Sequence, residues 1–234
     1  MTVEVDIKQL LEAGVHFGHK TSRWHPKMAP YIHSKRQESH IIDLTKTVEG
    51  LDKALPFLTK VAASGKQVLF VGTKKQAKDA VRAVAEKYNQ PYVTERWIGG
   101  MLTNVATVNQ QVKKLKDLEK RMESGDLEKR YNKLEVQRFA EEIEELNLKY
   151  SGIKDLNGRP GAIVIVDVLV DENAVKEAKV LGVPVVGVVD TNADPSVIDY
   201  VVPGNDDAIK GTSLLLDYFG QAVGEGLSAK KVEE

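Results

Sequence analysis

The sequence predicts an α/β fold: a parallel sheet covered by helices on both faces, with an antiparallel coiled-coil helical hairpin inserted into it. Three observations carry this reading. Residues 161–194 form a strand, helix, strand pattern in which 162–166 and 185–189 are short β-branched runs, apolar on both faces. Such strands cannot sit at a solvated surface and belong in a helix-covered parallel sheet, joined by a right-handed crossover. Further short apolar runs at 67–71, 91–94 and 200–202 each neighbour a helical pattern. Finally, 103–150 carries ten basic and ten acidic residues around two heptad-spaced apolar seams, Val108, Leu115, Leu118 and Met122, then Val136, Phe139, Ile143, Leu146 and Tyr150.

Taken in order, Asp6 is placed to cap a short helix over 7–13, with Ile7, Leu10 and Leu11 on one face and Gly14 ending it. Residues 14–36 show neither strand nor helix period, and Gly14, Gly18, Pro26 and Pro30 indicate an extended, irregular loop. Phe17, Trp24, Met28 and Tyr31 argue against disorder there. A small hairpin follows, with arms 31–34 and 40–42 around a turn at 35–39. A helix capped by Thr45 then runs to Ser64 and Gly65, with a kink expected at Pro56. After strand 67–71, Gly72 leads into a helix over 75–87. Ser124, Gly125 and Asp126 divide the charged segment into two antiparallel helices, the alternative being one long bent helix. Asp171 is expected to cap the helix of the central unit, which Gly182 and Pro184 end. A last helix over 207–223 precedes a fraying tail, 224–234. Residues 1–102 and 151–234 thus form a sheet domain and 103–150 an insertion.

Composition narrows the chemistry. Cysteine is absent, which removes disulfides, thiolate metal sites and cysteine nucleophiles and fits a reducing cytosol. The longest apolar run, 183–189, is far short of the roughly 20 residues of a membrane span, and the first 12 residues are too acidic for a signal peptide. A soluble, cytoplasmic protein with no membrane contact is expected. Lys plus Arg number 33 against 34 Asp plus Glu, so net charge gives no argument for a polyanionic partner. Its distribution does: 14–36 holds Lys20, Arg23, Lys27, Lys35 and Arg36, no acid, and four of the five histidines.

Four chemistries bear on the sequence. The P-loop pattern fails because Gln67 follows Gly65-Lys66 and Lys60 stands where the earlier glycine belongs. Lys74 and Lys75, just after a strand, remain able to meet a phosphate. His16, His19 and His25 lie close in sequence, but no Cys or nearby carboxylate completes a zinc set. Asp167, Asp190 and Asp194 sit at strand ends, where acids of α/β enzymes stand; Asp190 and Asp194 are candidates for magnesium, with ordinary turn formation as the alternative. Nucleic acid is the fourth. Lys20, Arg23, Lys27, Lys35 and Arg36 alternate with Trp24 and Tyr31, so cations can neutralise phosphates while rings stack on unpaired bases. Arg96, Trp97, Gly99, Gly100 and Asn104 repeat those ingredients. An enzyme acting on sugar phosphates or nucleotides and a protein adaptor built on the hairpin stay open as rivals.

The strings AGVHFGHKTSRWHPKMAPYI, HIIDLTKT, VLFVGTKKQA, RWIGGMLTN, GVPV, VDTNADP and PGNDDAI occur in this order. Together they closely resemble the bacterial small-subunit ribosomal protein S-two family over about residues 5–219. The resemblance implies a flavodoxin-like sheet with a protruding coiled-coil hairpin, a place on the solvent side of the small subunit between head and body, and no enzymatic activity or cofactor. It also implies contacts with small-subunit ribosomal RNA and neighbouring ribosomal proteins, and help in retaining ribosomal protein S-one, which captures messenger RNA. Carried over by position, the RNA-binding residues are Lys20, Arg23, Trp24, Lys27, Lys35, Arg36, Lys74, Lys75, Arg96 and Trp97. Glu38 makes the hairpin turn less basic than the family pattern, and the tail after Gly226 is short.

Overall fold

The computed structural model describes residues 5–233. Helix α1 (Ile7–Glu12) is capped by Asp6, whose carboxylate accepts the Lys8 N–H at 2.8 Å. Only Leu10 of its apolar residues is buried, while Ile7 and Leu11 are half exposed. The segment read as an irregular loop is largely folded. It contains β1 (Phe17–Lys20), 3₁₀ turns at Thr21–Arg23 and Pro26–Tyr31, and β2 (Ile32–Arg36). With β3 (Ser39–Ile42) these strands form an antiparallel sheet in the order β1-β3-β2. The hairpin turn is two residues long, Gln37 and Glu38, both at positive φ (45° and 65°). A tight turn with two positive φ values matches the twist of its strands, and it moves Lys35 and Arg36 out of the expected turn into β2.

Helix α2 (Leu44–Ala63) is capped by Asp43 rather than Thr45: the Asp43 carboxylate accepts both the N–H and the hydroxyl of Thr45, at 2.9 and 2.7 Å. It is continuous through Pro56. Pro56 and Asp52, whose carbonyl loses its helical donor there, are both exposed, so water can replace that bond. Then come β4 (Val68–Val71), α3 (Lys78–Lys87), β5 (Tyr92–Val93), α4 (Val105–Glu123), α5 (Asp126–Arg130), α6 (Lys133–Tyr150), β6 (Ala162–Ile165), α7 (Glu172–Leu181), β7 (Val185–Val189), β8 (Tyr200–Pro203) and α8 (Ile209–Glu233).

Strands β5, β4, β6, β7 and β8 lie side by side in that order, all parallel. Alternate side chains serve two cores. Val68, Phe70, Val164, Val186 and Val202 pack with α2, α3 and α8, while Leu69, Val71, Ile163, Ile165 and Val189 pack with α4 and α7. This is the helix-covered parallel sheet the apolar strands require. Because the order reverses around β4, a crevice opens between β4 and β6 beyond their carboxyl ends, where α/β sheets collect ligands.

Three expectations change. Gly182 ends α7 in the left-handed conformation (φ 60°), but Asp171 does not cap it; its carboxylate accepts the N–H and hydroxyl of Thr73 instead, at 3.2 and 2.8 Å. Helix α8 does not fray after Val223 but continues to Glu233. Its late glycines are close-contact positions: a Cβ on Gly226 would lie 2.3 Å from the Thr59 carbonyl of α2. Third, 103–150 is helical but divides into three helices rather than two, with α5 between α4 and α6. Leu115, Leu118 and Leu146 are buried, whereas Met122, Val136, Phe139 and Ile143 are only partly covered. Between α4 and α6, Lys114 pairs with Glu142, and Asn147 donates to Glu119 at 2.8 Å.

Candidate nucleic-acid interface

The basic segment and the strand-end aspartates, treated separately in sequence, form one structure. The three-stranded sheet docks on the carboxyl edge of the parallel sheet through Thr191, which is fully buried. His19 N–H donates to the Thr191 hydroxyl (2.9 Å) and His25 N–H to its carbonyl (2.7 Å). Gly18 permits this approach, since a Cβ there would sit 2.6 Å from Thr191 Cγ2. Asn205, after β8, closes the joint: its backbone N–H donates to Val15 O at 3.0 Å and its side chain to Gly14 O at 3.2 Å.

Ion pairs reinforce the joint. His19 Nδ1 is 3.1 Å from Asp190 and its Nε2 3.5 Å from Asp207. Lys27 donates to Asp194 at 2.8 Å and to Ser196 at 2.7 Å. Lys74 Nζ lies 2.7 Å from both Asp206 and Asp207 and 3.2 Å from Asp167. The crevice at the strand-order reversal is therefore filled by the chain's own salt-bridge cluster.

Its electrostatics follow from burial and crowding. The hydrogen bond to Asp190 holds His19 above its ordinary value, against partial burial. Burial alone would lower Lys74, but its bonds to Asp206 and Asp207 overcome that and raise it. Asp206, buried and beside the carboxylates of Asp167 and Asp190, is pushed up to about 7 despite Lys74. Burial likewise brings Asp171 to about 6, against its two bonds from Thr73. Asp194, bonded by Lys27 and Ser196, lies well below the usual carboxylate range. His19, Asp206 and Asp207 each bring one ligand atom to within 4.8 Å of the others, a set able to hold a cation. The carboxylates that sequence proximity did not supply to the histidines come from nearly two hundred residues away, while His16 and His25 lie outside this set. Asp190 and Asp194, the magnesium candidates, are occupied by His19 and Lys27.

The outer face of the three-stranded sheet is different. Ser39 of β3 is flanked in register by Lys20 of β1 and Arg36 of β2. Residues in register share a face, so the two cations stand two strand spacings apart, about 10 Å. Phe17, paired with Ile41, joins that face and is 50% exposed. Lys20, Arg23, Lys35, Arg36, Lys75 and Arg96 are all exposed and make no ion pair among the described residues. On the inner side Trp24 lies against buried His40, ring centroids 5.3 Å apart.

Two of the ten positions lie beneath the surface rather than on it. Lys74 is spent on three carboxylates. Trp97 is 7% exposed, and its indole donates to Glu177 Oε1 at 3.0 Å. Glu177, on α7, was not identified from sequence, yet it organises the 97–103 loop: it also accepts N–H bonds from Gly100, Leu102 and Thr103 and the Thr103 hydroxyl. Burial pushes its carboxyl up, and these donors outweigh it, leaving the group below its ordinary value. His19, Asp206 and Asp207 were likewise missed as a unit. The string PGNDDAI contained the signal, two adjacent acids following a strand end.

The family described as Ribosomal protein S2 matches residues 10–226. The small ribosomal subunit protein uS2 of Chloroflexus aggregans is 49% identical over 227 residues, covering 97% of this chain and 95% of the relative. Its counterpart in Chloroflexus aurantiacus is 48% identical over 230 residues, covering 98% and 96%. With a strand-by-strand fold, a docked basic segment and this extent of likeness, the chain belongs to the ribosomal protein S2 family.

Proposed function

We propose that the chain is a structural constituent of the small ribosomal subunit and binds small-subunit ribosomal RNA through the outer face of its three-stranded sheet. It is not an enzyme: its family is structural, and its strand-end carboxylates serve as anchors. The observation that carries the RNA reading is the contrast between the two faces of one segment. Cations on the docking side, His19 and Lys27, are paired with acids, whereas Lys20, Arg23 and Arg36 are left unpaired toward solvent; Lys35, in register with buried His40, is exposed but belongs to the other face of the sheet. Unpaired cations on a preformed surface beside an exposed ring suit phosphate and base contacts. Lys75 and Arg96 extend the set; Lys74 and Trp97 support it from below, and Trp24 is the inner ring.

The strand order, counted over the five parallel strands alone, is the 2-1-3-4-5 of flavodoxin-like sheets. Within it 103–150 acts as an inserted helical unit, with the coiled-coil reading resting on its heptads, and meets neighbouring ribosomal proteins. Leu134 and Leu148, 60% and 56% exposed on α6, support a protein partner there. Retention of ribosomal protein S-one is proposed from the family resemblance. Cytoplasmic ribosomes are the expected location; no described helix is long and apolar enough to cross a membrane.

Sedimentation of tagged chain from a lysate through a high-salt sucrose gradient tests the assignment. Co-migration with the small subunit is expected, and its loss in a Lys20→Ala, Arg23→Ala, Arg36→Ala variant. A chain that stays at the top of the gradient even in low salt contradicts it.

A further inference from the structure

A second concentration of positive charge runs along α2 beside the edge strand β8, from near Tyr31 to the amino-terminal edge of the parallel sheet. Helix α2 places Lys46, Lys53 and Lys60 seven residues apart. Seven residues are close to two turns, so the three amines share one face and span about 21 Å. Phe57, on that same face, stacks on Tyr200 of the edge strand β8, with centroids 4.2 Å and planes 16° apart. Tyr200 stands where two grooves meet. One, of about 290 Å³, is lined by Lys46 and Lys53. The other, of about 760 Å³, is lined by Lys60, Lys66 and Arg159.

The acids nearby do not neutralise this track. In the first groove Glu49 is taken by Lys46 at 2.8 Å, and Asp199 accepts the Val185 N–H at 2.8 Å, a bond that does not cancel its charge; the second groove, with Lys60, Lys66 and Arg159, has no acid in its lining. Asp52 precedes Lys53 by one residue and so lies about 100° round the helix. Lys53, Lys60, Lys66 and Arg159 are exposed with no ion pair among the described residues. Lysines at the border of a buried helix face commonly cover apolar surface with their stems. That accounts for Lys53 and Lys60 but not for Lys66 and Arg159, which reach the same groove from two other segments.

We propose that the groove between α2 and β8 binds a single-stranded RNA segment, its phosphates on Lys53, Lys60, Lys66 and Arg159 and one unpaired base against the Phe57–Tyr200 pair. A row of cations with an aromatic platform midway is the equipment of sequence-tolerant single-strand binding. A duplex keeps its bases stacked and gains nothing from the rings. Tyr31 of the docked segment lines the first groove, but the proposed contacts lie outside residues 14–36 and do not rest on the reading of that segment.

The test uses the full chain carrying Lys20→Ala, Arg23→Ala and Arg36→Ala, which removes the other cationic surface. Fluorescence anisotropy then follows a labelled oligouridine of about 12 nucleotides, within the range of single-strand sites. Adding Lys53→Glu, Lys60→Glu and Arg159→Glu, all at exposed positions, should weaken binding at least about tenfold and reduce the salt slope by about two, at roughly 0.7 per phosphate contact. In the same Lys20→Ala, Arg23→Ala, Arg36→Ala chain, without the groove substitutions, a 4-thiouridine probe should crosslink to the peptide containing Tyr200. Affinity unchanged within about twofold, no binding by the parent, or a crosslink elsewhere overturns the proposal. So does equal competition by duplex RNA of the same length, or by polyglutamate, which would identify the groove as a site for an acidic protein.

Discussion

Lys74 holds three carboxylates within 3.2 Å while only 16% exposed, so removing its charge leaves buried acids without a counterion. A Lys74→Met variant should lose about 3–5 kcal/mol of stability, the range for breaking a buried ion pair. The sign of its pH dependence follows from Asp206, held at about 7 in the folded chain, above its ordinary 3.8. A carboxyl raised on folding favours the protonated folded state, so stability falls as pH rises between the two values. Without Lys74 the folded value climbs further. Thermal melts should therefore show the variant's deficit smaller near pH 5 than near pH 8; an equal deficit at both would mean the cluster is not ionised as described. Sequence showed Lys74 as a cation after a strand, but its partner Asp206 is 132 residues away, and no local pattern records such a pairing. Glu177 was equally illegible: it looks like any solvated helix residue until the 97–103 loop folds onto it.

At the scale of elements, strands were the most legible because runs buried on both faces have few alternatives, and β4, β6 and β7 fall where their apolar runs lie. Helix ends were less so. Two glycines in the tail expected to fray are close-contact positions, Gly226 letting α8 lie against α2 and Gly224 against Tyr88 at the end of α3. The magnitudes decide what Gly226→Ala will do. Alanine favours a helix by about 1 kcal/mol over glycine. Forcing a Cβ to 2.3 Å from the Thr59 carbonyl and 2.7 Å from Ala62 Cβ costs more, about 1–3 kcal/mol for a crowded core. Urea unfolding should show a net loss; a gain would mean α8 is free to shift. Residues 14–36 were misread because β1 has no apolar alternation of its own. Its burial pattern is set by docking on Thr191 and pairing with β3, both long-range events. In 103–150 the heptads were real apolar spacings, but spacing alone does not say which partner covers each side chain.

For the whole molecule, a net charge of −1 conceals a division of labour. Acids gather at the carboxyl edge of the parallel sheet and hold the inward cations of the docked segment; its outward cations are left without partners. The candidate surface was legible as a composition anomaly, five cations with no acid in 14–36, whereas the split into anchors and contacts needed the fold. That split is tested most directly by the salt dependence of binding to small-subunit ribosomal RNA, measured by filter binding for the parent chain, a Lys20→Ala, Arg23→Ala, Arg36→Ala variant and a Lys27→Ala variant. The outward variant should lose about two to three units of salt slope, at 0.7–0.9 per phosphate contact, while Lys27→Ala leaves the slope within about half a unit of the parent. Equal slopes for the parent and the outward variant would contradict the assignment of the outer face as the RNA-binding surface.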